Sequence, residues 1–293
     1  MNNAIRIITD ENGQLLQAAP LDGFRIESDD ELARKREYAV REDARKRNTK
    51  YYVTSYHEPV RSLTTLLSLN ELGAVMKLIP YMHMDNAGDL YLNGKRMSTA
   101  EISKVIGKAA RMTATIVASL VKYGILTEDK EGRRKVYAIH PEYHTIGRAL
   151  KQGESFTKIY QMKTRSDVKN LSIQAAGLLY CMIPFFHYRL CYLCTNPDER
   201  KADKLDVITQ ASLARFLGVD DQTVRRGLRE LSKNGFIMRS ESLGVTVIKV
   251  NPDVMYRQKF DDDEYTQALR YDFEQHRKAS ESGHGLDDAD LPF

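Results

Sequence analysis

Apolar residues recur along this chain at helical spacing in two stretches, each interrupted by the same punctuation. Leu72, Val75, Met76 and Ile79 fall three or four apart, which puts them on one face of a helix. Ser68, with Glu71 three residues later, has the form of a capping box at its start, and Pro80 kinks or ends it. Ser98 and Glu101 repeat the capping signal before Ile102, Val105 and Ile106, and Gly107 supplies the left-handed stop of a short helix. The run ARMTATIVASLVKYG predicts a longer third helix, and ILTEDKEGRRKVYAI two β-rich runs joined by a turn.

The same order returns further along. A shift of 104 residues sets Tyr56 on Tyr160, Arg61-Ser62 on Arg165-Ser166, Leu67-Ser68 on Leu171-Ser172, Gly73 on Gly177, Ile79-Pro80 on Ile183-Pro184 and His83 on His187. The shift then becomes 111 and sets Gly107 on Gly218, Leu120 on Leu231, Lys122 on Lys233, Gly124 on Gly235, Val136 on Val247 and Pro141 on Pro252. The seven extra residues fall within CTNPDERKADKLD, a polar stretch that reads as a loop, where a duplicated fold tolerates insertion. Two registers held over so many positions point to an internal duplication. The expected class is mainly α with small β wings (α+β).

Helix, short helix, glycine turn, longer helix and hairpin is the order of a winged-helix domain. LARFLGVDDQTVRRGLRELSKNGFI resembles the recognition half of bacterial winged helix-turn-helix proteins, and ISKVIGKAARMTATIVASLVKYGIL is similar, with a less polar third helix. The expected organisation is an N-terminal arm with a basic helix over 1–49, winged-helix domains over 50–145 and 146–256, and an acidic flexible tail with a docking tip over 257–293. In such domains the second helix of the motif enters the major groove of double-stranded DNA. Val224, Leu228 and Leu231 take the buried face, leaving Gln222, Arg225, Arg226 and Arg229 outward; Asp220 and Asp221 cap the helix start. Arginine pairs bidentately with guanine and glutamine with adenine, each worth roughly 1–3 kcal/mol of discrimination. In the first domain the candidates are Lys104, Lys108, Arg111 and Thr115, with Arg133, Arg134 and Lys135 on its wing; the second wing offers Arg239.

Charge divides the chain. Residues 261–293 hold ten acids and three bases, so the tail is −7 and the first 260 residues are +11 against a net +4. Residues 31–50 carry eight bases and four acids, either a phosphate-tracking helix or a solvated arm. A basic body with an acidic tail fits a protein that touches nucleic acid and recruits something else. The last residues, GLDDADLPF, resemble the tip of bacterial single-stranded-DNA-binding proteins. That resemblance implies a partner-docking role for Asp287, Asp288, Asp290, Leu291, Pro292 and Phe293, with host replication or repair proteins as partners. The spacer HRKASESGHG reads as flexible.

Enzymatic readings find little support. There is no GxxxxGK[ST] loop for an ATP-driven helicase, and no His-x-His pair of the kind nicking initiators use; His140 and His144, four apart, read as a surface turn. Cys181, Cys191 and Cys194 are too few for an ordinary structural zinc site, and YCMIPFFHYRLCYLC reads as a buried helix. No catalytic residue, metal or cofactor is expected, and no apolar run of 18 or more residues predicts a membrane span. The chain reads as soluble and cytoplasmic. Tandem winged helices with a docking tip resemble plasmid and phage replication initiators. A winged-helix transcriptional regulator of a phage or plasmid is the alternative, and a homodimer is left open.

Overall fold

The computed structural model describes residues 6–9, 11–18, 30–36, 38–39, 51–84, 88–147, 151, 153–242, 245–258 and 263–281. The chain divides into two compact units, Met1–Thr49 and Lys50–Phe293. The first contains an antiparallel hairpin, β1 (Arg6–Thr9) with β2 (Leu15–Ala18), and exposed helical residues at 30–36 and 38–39. The remainder of the expected basic helix, 40–50, lies outside the described residues.

The second unit is a mixed α+β structure with small sheets. Its first half runs β3 (Tyr52–Tyr56), α1 (His57–Leu66), α2 (Leu69–Leu78), a one-turn 3-10 helix at Ile79–Tyr81, β4 (Tyr91–Leu92), β5 (Lys95–Arg96), α3 (Thr99–Ile106), α4 (Ala110–Lys122), β6 (Leu126–Glu131), β7 (Arg134–Ile139) and β8 (His144–Thr145). Its second half runs β9 (Phe156–Tyr160), α5 (Gln161–Asp167), α6 (Ile173–Cys181), a 3-10 turn at Ile183–Phe185, α7 (Gln210–Leu217), α8 (Asp221–Lys233), β10 (Ile237–Ser242), β11 (Val245–Val250) and β12 (Met255–Tyr256). Both prolines end their helices in the 3-10 turn, so the Cys-containing stretch expected as one buried helix stops at Cys181 and continues as turns and bridges.

A four-stranded sheet, ordered β12-β9-β3-β8, joins the halves. Thr54 faces Lys158, 104 residues ahead of it, and the pairing reads alike from both sides. Ser55 pairs with His144 on one edge and Ile159 with Met255 on the other, positions related by the same shifts. Helices α2 and α6 cross closely enough that a Cβ at Gly73 would lie 1.8 Å from the Ile173 carbonyl oxygen, and one at Gly177 2.0 Å from that of Leu69. Only glycine permits such backbone approach.

Side chains cross over in the same reciprocal manner. Arg61 lies over the Phe185 ring (5.6 Å) and donates to the Pro184 carbonyl, while Arg165 lies over the Tyr81 ring (4.3 Å) and Gln161 donates to the Pro80 carbonyl. Cation–aromatic contacts of this kind contribute from about 0.5 kcal/mol upward. The first helix of each half thus packs on the proline corner of the other. One exchange stands out. Ser68 shares a capping box with Glu71, but Ala175 stands at the matching place beside Ser172, and Glu230 reaches over from α8 to accept from the Ser172 amide and hydroxyl.

The segment expected as a flexible tail from residue 257 differs in two places. The Arg257 side chain is 6% exposed and donates to the carbonyls of Phe156, Phe186 and Pro197 and to Asp198, which pins the insertion loop. Beyond it, α9 (Glu264–Glu281) buries Thr266, Leu269 and Phe273, with Arg270 paired to Asp253 at 2.8 Å. Most of the spacer expected to be flexible is therefore helix. Residues 282–293, including the Asp287–Phe293 tip, lie outside the described residues. No helix among the described residues is long and apolar enough to cross a membrane.

Candidate nucleic-acid interface

Helix α8 is strongly two-faced. Val224, Leu228 and Leu231 are buried, and Gly227 sits against Leu178, where a Cβ would come within 2.8 Å of a methyl group. Gln222, Arg226 and Arg229 are exposed on the other side; Arg225 is half-buried and pairs with Asp221 at 3.2 Å. Asp220 caps the helix by accepting from the Thr223 amide at 2.8 Å, and hydrogen bonds from Thr223 hold its carboxyl below the usual range. Gln210, at the start of α7, donates to Asp221 at 3.2 Å and so ties the two helices of the motif together. Gly218 turns between them at φ 60°, as Gly107 does at φ 68° in the first half. A left-handed residue is required at both turns.

In the first half, Thr113, Ile116, Val117 and Leu120 of α4 are buried. Arg111, Ala114, Thr115 and Ala118 are exposed, with Met112 50% exposed beside them. Lys104 is exposed on α3, and Lys108 is half-buried in the turn, its carbonyl accepting from Ser103 and Thr113. The Thr115 hydroxyl donates to the Arg111 carbonyl at 3.2 Å, which leaves its methyl group as the outward feature. Ala114, Thr115 and Ala118 stand where the second half has Arg225, Arg226 and Arg229.

The hairpins expected as wings, β6-β7 and β10-β11, differ from expectation in detail. Arg133 is exposed at the first wing's turn, beside Gly132 (φ 64°). Arg134 is instead engaged within the wing, donating to Glu131 at 3.1 Å and to the Arg96 carbonyl at 2.6 Å. Lys130, overlooked in the sequence, is exposed near the same turn. Arg239 lies mid-strand opposite Ile248 and is half-buried, and the second wing's turn, 243–244, lies outside the described residues.

One group of side chains has the makings of a catalytic chain. Ser55 Oγ lies 2.8 Å from His144 Nδ1, and His144 Nε2 lies 2.9 Å from the Tyr180 hydroxyl. All three are 0% exposed, which shuts out a substrate. Burial alone lowers the His144 pKa to about 3, and burial, with the neighbouring Cys181 and Tyr143, pushes the Tyr180 hydroxyl up. The expected surface turn therefore holds for His140 only; His144 is a core residue whose polar atoms are satisfied in place. His57 behaves alike, with Nε2 2.9 Å from Thr157 Oγ1 and a pKa lowered to about 3 by burial and then by Arg257. Cys181, Cys191 and Cys194 are buried thiols pushed up to about 12, and no group of three or more metal-ligating side chains occurs among the described residues.

Comparison with protein-family models, with curated proteins and with solved structures finds no match to this chain. The functional reading rests on sequence and geometry.

Proposed function

We propose that the chain is a non-enzymatic, sequence-specific double-stranded-DNA-binding protein made of two winged-helix domains that arose by duplication. In this reading it acts as a plasmid or phage replication initiator. The observation that carries the DNA reading is α8: three of its outward positions hold Gln222, Arg226 and Arg229 while its apolar face is fully buried. The reciprocal contacts between the halves support the duplication, because an interface of this kind joins like surfaces about a two-fold axis. Two reading helices so related meet half-sites of opposite polarity. Their outward residues are unlike, so the half-sites differ in sequence.

Recruitment is assigned to the acidic Leu-Pro-Phe end, which docks on host replication or repair proteins that also bind the single-stranded-DNA-binding protein. The test has two parts. Footprinting on DNA flanking the gene should reveal repeated protected sites as in an origin, and protection of a promoter alone would favour the transcriptional regulator. Deleting Leu291–Phe293 should leave DNA affinity unchanged and abolish replication. Normal replication by the deletion variant would remove the recruiting role.

A further inference from the structure

Strand β6 buries little of its own: of Leu126–Glu131 only Leu126 is buried, and the strand is held through its pairing with β7, whose Tyr137 and Ile139 backbones bond to Leu90, Met97 and Gly88. Exposed hairpin strands open readily unless fastened to the body of the fold. Arg96 adds a direct side-chain tie from β6 to the body of the fold. It ends β5, beyond a two-residue turn in which Asn93 (φ 52°) and Gly94 (φ 76°) are both left-handed. Its guanidinium donates to Asp89 Oδ1 at 2.8 Å and to Asp129 Oδ2, on β6, at 2.8 Å. Its carbonyl oxygen accepts from Arg134 of β7 at 2.6 Å, and Asp89 is bridged to Ala138 of β7. The Arg96 side chain, 17% exposed, thus ties β6 to Asp89, while its backbone carbonyl receives Arg134 of β7. The rigid fork of arginine suits this two-carboxylate bridge, as a lysine ammonium would not.

The far end of the same wing carries exposed cations, Arg133 at the turn and Lys130 beside it. Lys135 is paired with Glu128 at 2.8 Å and Arg134 with Glu131 at 3.1 Å. Arg133, by contrast, makes no ion pair or hydrogen bond among the described residues. In the second half Val207 stands 111 positions beyond Arg96 and carries no charge. The two wings are therefore not equivalent.

Resting on the DNA-binding reading above, we propose that Arg96 is a positioning residue for DNA recognition: it holds the first wing at the angle from which Arg133 meets a backbone phosphate. The test is a double-mutant cycle on the full chain, with affinity for the footprinted DNA measured across a range of salt. Arg133→Ala should weaken binding on all sequences and reduce the slope of log affinity against log salt by about one. Arg96→Met should produce the same loss and the same change of slope while leaving the thermal midpoint of a folded protein. The double variant should bind no more weakly than either single variant. Asp129→Asn breaks the bridge at its exposed end and should reproduce the effect if Arg96→Met disturbs folding. An unchanged salt slope in both bridge variants, or additive losses for Arg96→Met and Arg133→Ala, would overturn the proposal. A wild-type chain that shows no salt-dependent DNA binding at all would instead remove the reading on which it rests.

Discussion

Lowering the pH from 7.5 to 5.0 should destabilise this protein by about 4 kcal/mol through two buried imidazoles. His57 and His144 have folded pKa values of about 3 against an ordinary 6.5. When a histidine's folded pKa is depressed, the unfolded state binds the proton first, so stability is full above about pH 6.5 and declines toward pH 3. At pH 5 each unfolded ring has taken up a proton that its folded counterpart refuses. One pH unit corresponds to about 1.4 kcal/mol, so each ring contributes about 2 kcal/mol of loss. Carboxylates held low in the fold, such as Asp198 and Glu71, act in the same direction, but only as the pH falls below about 4.5. The interval from 6.5 to 5 therefore isolates the histidines, and His187, whose pKa burial also lowers, adds to the loss in the same direction and persists in the control variant. Urea unfolding at the two pH values measures the effect, with a His57→Gln/His144→Gln variant as control. That variant should be less stable at pH 7.5 but should lose about 4 kcal/mol less on acidification, the remainder coming from His187. A wild-type stability that is flat over this interval, or an equal loss in the variant, would refute the assignment of two neutral core histidines.

Other perturbations probe the junction and the reading faces. Gly73→Ala places a methyl group against a backbone oxygen rather than a flexible side chain, so the helices must separate; a loss of about 3 kcal/mol or more is expected. Because each half packs on the other's proline corner, calorimetry should show one transition at a lower midpoint, and two separate transitions would contradict the interlocked packing. Arg226→Ala with Arg229→Ala should weaken specific binding by at least tenfold in fluorescence anisotropy, from about 1–3 kcal/mol per bidentate contact, while non-specific binding changes less. The methyl-rich face of α4, with Met112, Ala114 and Thr115, should meet thymine methyl groups. Replacing thymine by uracil in the first half's half-site should reduce affinity about fourfold per contacted methyl, from about 0.8 kcal/mol each; an equal loss in the other half-site would contradict the division.

Local features were legible where short-range physics decides them. The capping signals at Ser68 and Ser98 and the left-handed turns at Gly107 and Gly218 involve residues three or four apart, and all occur as read. The buried and outward faces of α8 follow from helical spacing alone. Features set by distant parts of the chain were less accessible. His144 looked like a turn residue because its partners, Ser55 and Tyr180, lie 89 and 36 residues away. Helix α9 was hidden by acidic composition, although Tyr265, Leu269 and Phe273 stand four apart and form its inner stripe. On the wing, sequence shows that Arg133 and Arg134 are basic but not that Glu131 and the Arg96 carbonyl already occupy one of them.

The close crossing at Gly73 and Gly177 has a bearing on how such a protein can change over time. In a dimer of identical chains every substitution occurs twice, and whatever one reading helix prefers the other must prefer also. Here both helices belong to one polypeptide, and Thr115 and Arg226 occupy corresponding places without constraining each other. The glycines keep the halves in fixed register while the outer surfaces drift separately. On the proposed DNA-binding reading, a protein built in this way can acquire a left and a right on its site.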